Sequence, residues 1–150
     1  MAAQDKMPPL TPYLTVKGAA KAVDFYKKAF GAKENMRMPA QDGKRLMHAD
    51  LTINGGRVLM SDWFEEYQQD GAFDPPGPKN LAPVAVALHY PKPADVDAAY
   101  RRAKDAGCKS LQEPQDMFWE ARFAMLSDPF GHRWMMNAPL PAKAVPKKKK

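Results

Sequence analysis

A repeat constrains this chain more than any other feature of its sequence. The stretch Gly55-Gly56-Arg57-Val58-Leu59-Met60-Ser61 lies over Gly131-His132-Arg133-Trp134-Met135-Met136-Asn137 at a shift of 76 residues. The same shift carries Gly31-Ala32-Lys33 onto Gly107-Cys108-Lys109. In each copy a glycine turn releases a short apolar run that closes the unit. Before the second run stands Asp128-Pro129-Phe130-Gly131, where Asp bonds the backbone ahead of it, Pro presets φ and Gly accepts positive φ. Two matches at one spacing predict a duplicated module.

The rhythm of each copy is the same. Residues 10–16 alternate Leu10, Pro12, Leu14 and Val16 against Thr11, Tyr13 and Thr15, the pattern of a strand with Pro12 at an edge. After Gly18, a face of Ala19, Ala22, Val23, Tyr26, Ala29 and Phe30 predicts a helix over 19–30 that Gly31 ends. Strands follow at 33–38, 46–53 and 57–62, the last two joined by the hairpin signal Asn54-Gly55. Module one thus spans about 10–62 and module two about 83–137, within a single domain over 10–137. In module two a strand at 83–90 leads to a helix with Asp95 as N-cap and Gly107 as its end. Strands at 109–113, 118–127 and 133–137 complete it. The linker, 63–82, holds Trp63, Phe64, Tyr67 and Phe73, which are expected to pack over the core or a pocket mouth. Residues 138–150 read as a disordered basic tail.

Charge narrows the partners. The net charge is +6, but Lys143, Lys147, Lys148, Lys149 and Lys150 supply five of those charges, leaving +1 before the tail. The folded part therefore offers no basic patch for nucleic acid. No apolar run is long enough to span a membrane, and Met1 to Lys6 has no apolar signal core. Cys108 is the one cysteine, so no internal disulfide forms. The expectation is a cytoplasmic protein.

Strand, helix and three strands, twice over, resemble the vicinal oxygen chelate superfamily of glyoxalase I, bleomycin and fosfomycin resistance proteins and ring-cleaving dioxygenases. The residues carrying the resemblance are Asp24-Phe25-Tyr26-Lys27-Lys28-Ala29-Phe30-Gly31-Ala32, Asp95-Val96-Asp97-Ala98-Ala99-Tyr100, and Asp128-Pro129-Phe130-Gly131-His132-Arg133-Trp134. His48-Ala49, Met60-Ser61-Asp62 and Phe118-Trp119 through Arg122 are similar to its PhnB-like branch. The resemblance implies an α+β fold in which two tandem βαβββ modules form curved mixed sheets around a cup, and a homodimer that closes it. Metal enzymes of that family carry His near the start of each first strand and Glu on each last strand. Those positions map to Thr11, to the segment from Val86 to Leu88, and to Leu59 and Met135. None is an imidazole or carboxylate, so no metal and no cofactor are expected.

Other chemistry is sparse. His48 and Asp50 form a His-x-Asp pair on one strand face, with His89 as a conceivable third ligand, while His132 reads as a surface residue after a turn glycine. Cys108 has no neighbouring base in sequence, and there is no phosphate loop or dinucleotide fingerprint. The reading is a metal-independent small-molecule binding protein with no catalytic residues assigned. Its pocket is expected near His48, Asp50, Met60, Asp62, Trp63, Trp119, Arg122 and Met135, with Arg122 orienting an acidic group and the two tryptophans stacking on a flat ligand. The alternative is a metal-dependent lyase, isomerase or dioxygenase with a non-standard site around His48.

Overall fold

Each glycine-ended helix of the repeat packs beneath its own four-stranded sheet. The computed structural model describes residues 6–67 and 74–142. In module one, β1 (Tyr13–Val16) leads to α1 (Ala19–Phe30), then β2 (Lys33–Pro39), β3 (Leu46–Ile53) and β4 (Gly56–Asp62). A single 3-10 turn, Glu65–Tyr67, follows. Module two repeats the order with β5 (Ala85–His89), α2 (Pro93–Ala106), β6 (Lys109–Met117), β7 (Ala121–Ser127) and β8 (Arg133–Pro139). The sheets run β1-β4-β3-β2 and β5-β8-β7-β6. In both, the first strand lies parallel to the last and the remaining pairs are antiparallel. The fold is α+β.

Strand alternation decides what each face carries. Leu14, Val16, Ala49, Leu51, Val58 and Met60 point at α1, and Ala124, Leu126, Met136 and Ala138 point at α2. Both clusters share Phe25, Phe30 and Tyr90, so the two modules rest on one continuous core. At its centre Trp134, fully buried, stacks on Phe30 with ring centroids 4.3 Å apart. The Asp-Pro-Phe-Gly turn is bound into that centre. Asp128, 2% exposed, accepts hydrogen bonds from the Tyr26 hydroxyl (2.6 Å), the Trp134 indole (2.8 Å) and the backbone N–H groups of Phe130 (2.8 Å) and His132 (3.0 Å). One carboxylate thus joins α1 to the β7–β8 turn.

Several expectations need correction here. β8 continues through Ala138, which is buried, to Pro139, and the Leu140 N–H bonds the Glu120 carbonyl; the first tail residues therefore belong to the sheet. The lysines from 143 onward lie outside the described residues. Asp95 is not the N-cap: α2 starts at Pro93, and Asp95 sits in its first turn, accepting the Lys92 N–H. Of the linker aromatics, Phe64 is buried under the Arg45 guanidinium, Tyr67 is exposed, and Phe73 lies outside the described residues.

His132 is buried rather than on the surface, and its Nε2 bonds the Thr15 carbonyl at 2.8 Å. That carbonyl belongs to the unpaired edge of β1. On the other side, the Asn54 side-chain amide donates to the His89 carbonyl on β5 at 2.9 Å. Each module clips one edge strand of the other.

Candidate functional site

The faces of the two sheets that turn away from the helices hold the chemistry. On sheet one, residues opposite each other form rungs: Met36 beside Asp50, Leu59 and Tyr13, and Met38 beside His48. Hydrogen-bonding groups dominate. The Tyr13 hydroxyl meets His48 Nδ1 at 2.8 Å. Asp50, nearly buried, is held by Arg57 through both carboxylate oxygens and by the Asn35 amide at 3.1 Å. Hydrogen bonding from Arg57 keeps the Asp50 carboxyl below its ordinary range. A buried pair of this kind is neutral outward and satisfied inward.

Sheet two sets thioether and aromatic groups among amides. Gln112, Met125, Met135 and Ala87 form one rung, and Gln115, Phe123, Asn137 and His89 form the next. The Trp119 ring, at the tip of the β6–β7 hairpin, meets Phe123 edge-on with centroids 5.7 Å apart. Thioethers beside an aromatic ring make a surface that adapts to flat molecules.

His48, Asp50, Trp119 and Met135 therefore lie on these two outer faces, two on each sheet. The other four expected residues do not. Met60 is fully buried on the helix side of β4, sharing a face with Val58. Asp62 points the same way and caps α1 from a distance, accepting the N–H groups of Gly18 (2.8 Å), Ala19 (2.9 Å) and Leu46 (2.7 Å). Trp63 lines a separate cleft with Lys17, Lys44 and Arg45, and its buried indole N–H has no partner among the described residues. Arg122 faces α2, where Asp97 holds it at 2.8 Å, and Asp116 on the neighbouring β6 holds it at the same distance. Those two carboxylates raise its pKa further, and they leave it no part in orienting a ligand in the cup. Cys108 is also buried, which pushes its thiol up to about 12 and removes it as a nucleophile.

A groove that the sequence reading missed opens between the two sheets. It has a volume of about 820 Å³ and runs between β1 and β5, floored by Leu14 and Val86 and walled by Pro12, Leu81, Pro83 and Val84. Because backbone and linker make most of its walls, no motif advertises it. The two unpaired edge strands were the signal that could have located it.

Strand register also tests the metal positions. Tyr13 stands opposite Leu59 in module one as Ala87 stands opposite Met135 in module two. Tyr13 and Ala87 are therefore the first-strand residues that share a rung with the last-strand positions Leu59 and Met135. A phenol, an isobutyl group, a methyl and a thioether do not make a divalent-metal site. Among the described residues no three His, Cys, Asp or Glu side chains converge as a metal site.

A family model described as the Glyoxalase/Bleomycin resistance protein/Dioxygenase superfamily matches residues 7–136. The chain belongs to this superfamily. It is 40% identical over 133 residues to an uncharacterized protein of Mycobacterium bovis, covering 89% of this chain and 84% of that one. Among solved structures it is similar to TioX from Micromonospora sp. ML1, at 27% identity and a TM-score of 0.64, covering 87% of this chain and 98% of TioX. The fold alone is shared with a PhnB protein from Bacillus cereus (18% identity, TM-score 0.63, 89% and 100% covered). It is likewise shared with the fosfomycin resistance protein FosX from Listeria monocytogenes, solved with Mn(II) and sulfate (16%, TM-score 0.63, 92% and 93% covered).

Proposed function

We propose that this member of the superfamily is a metal-independent, cytoplasmic small-molecule binding protein that works as a homodimer. The observation that carries the reading is the composition of the Tyr13–Leu59 and Ala87–Met135 rungs. Each includes the last-strand position at which family metal enzymes carry Glu, and both are without a carboxylate or an imidazole. What remains is a hydrogen-bonding face on sheet one and, on sheet two, a patch of Phe123, Met125 and Met135 flanked by Gln112, Gln115 and Asn137. Two such faces, brought opposite each other by a second copy, suit a flat ligand with one polar edge. With Arg122 turned to the helix side, the reason to favour an acidic ligand is gone, and an uncharged one fits the self-neutralised Asp50–Arg57 pair better.

A metal enzyme built around His48 has less support. Its neighbour Asp50 is already bound by Arg57 and Asn35, and His48 Nδ1 by Tyr13.

Chelator-treated protein offered a panel of uncharged and acidic heteroaromatic compounds tests the proposal by calorimetry. Binding should survive chelation, weaken at least tenfold in Met135→Ala, and stay unchanged in Arg122→Ala. Light scattering should give twice the monomer mass. One-to-one metal uptake that disappears in His48→Ala would overturn the reading in favour of the enzyme.

A further inference from the structure

The groove between β1 and β5 carries chemistry that the cup faces lack. In a parallel pair, alternate residues of a strand bond the partner while those between direct both N–H and C=O outward. The Pro12 and Val16 carbonyls accept from β4, so Tyr13 and Thr15 face outward. The Tyr90 N–H bonds Asn137 on β8, so Ala85, Ala87 and His89 face outward from β5. Neither strand pairs with the other. The clips take the outermost acceptors, His132 the Thr15 carbonyl and Asn54 the His89 carbonyl. Between the clips, no protein group among the described residues bonds the outward N–H and C=O of Tyr13, Ala85 and Ala87.

The geometry points to this seam as a binding slot for a short, extended, uncharged peptide-like molecule, one bearing secondary amides, that docks as an added strand. Strand addition satisfies unpaired edge groups and draws its affinity from main-chain bonds. The clips close both ends, so at ~3.3 Å per residue the slot takes about two to three peptide units. Its floor, Leu14 and Val86, accepts a small apolar side chain. Of the lining residues only Tyr13, Asp74 and His132 are ionisable, and the His132 ring is already engaged by Thr15, so the slot offers no counter-charge to an anionic end. The slot goes beyond the cup reading and does not depend on it.

Backbone amides give direct readouts. A capped, uncharged dipeptide amide is titrated into the ¹⁵N-labelled full chain alongside its depsipeptide analogue, in which ester oxygens replace the N–H groups. The resonances of Thr15 and Ala85, which stand on neither cup rung, should shift along with those of Tyr13 and Ala87, and the ester should bind at least tenfold more weakly. Ala87→Pro deletes one outward N–H while leaving the ladder to β8 intact, since proline is tolerated on an edge strand. It should weaken the amide at least tenfold, whereas Ala87→Ser should not. Equal binding of amide and ester, or no shift at millimolar probe, overturns the slot. So do shifts confined to Phe123, Met125 and Met135. A flat heteroaromatic compound titrated in parallel reports on the cup separately, so either site can fail without the other.

Discussion

Replacing Asp128 with alanine should be among the most damaging single changes this fold can receive. The carboxylate is buried and accepts four hydrogen bonds, two of them from fully buried side chains, Tyr26 and Trp134. Alanine leaves the phenol and the indole N–H without an acceptor in an apolar centre. Each stranded donor costs about 1–3 kcal/mol, so the pair alone gives about 4 kcal/mol before the turn's own N–H groups are counted. Tyr26→Phe is the control. It removes one donor and leaves the carboxylate three partners, for a loss of about 1.5–2 kcal/mol. Asp128→Asn should fall between them, because one oxygen can still serve the turn while the amide NH₂ meets the Trp134 N–H donor to donor. Urea unfolding followed by tryptophan fluorescence measures all three, with the slope m unchanged if the denatured state is the same. An Asp128→Ala loss below about 1.5 kcal/mol, or one no larger than that of Tyr26→Phe, would refute the hub.

Burial, reinforced by Asp128, holds the Tyr26 phenol well above its ordinary value of 10. Stability should therefore fall above about pH 10 as the unfolded phenol ionises and the folded one does not, adding to the loss that the raised Cys108 thiol begins near pH 9; Tyr26→Phe should make that limb shallower in pH-dependent melting curves. Arg57→Ala strands the Asp50 charge and should cost about 3–5 kcal/mol by urea titration, part of which the added change Asp50→Ala should restore. Gly131→Ala should lose at least about 2 kcal/mol in the same assay, because φ is +96° there and a Cβ would collide with the backbone of Pro76 and Gly77.

The 76-residue repeat made the helices, their glycine ends and the closing strands readable, because each is fixed by local spacing and turn chemistry. The first strands escaped it. Tyr13 corresponds to Ala87 at a spacing of 74 rather than 76, because α2, at 14 residues, is two residues longer than α1, at 12. Alternation separated the two faces of β4 and β7 without saying which one the helix covers. Met60, Asp62 and Arg122 were therefore assigned to the cup although they face the helices. The partners that settle Arg122 are Asp97 and Asp116, the first of them 25 residues away on another element. His132 looked like a turn residue because its acceptor lies 117 residues earlier, beyond any local pattern. The groove was hidden for a different reason: it is bounded by main chain, which every sequence shares.

The reciprocal clips also bear on descent. Carried across the repeat, Asn54 falls on Phe130 and His132 on Gly56. Phenylalanine has no amide to offer, and glycine has no side chain at all. Neither half can do for its neighbour what the neighbour does for it, so the lock is made of two unlike parts. A tandem of two first halves would lack the imidazole, and a tandem of two second halves would lack the amide. An ancestor with identical repeats would have had to carry both residues in each half, or be held together by other means. Since then the halves have become complementary strangers, each inheriting the piece the other lost.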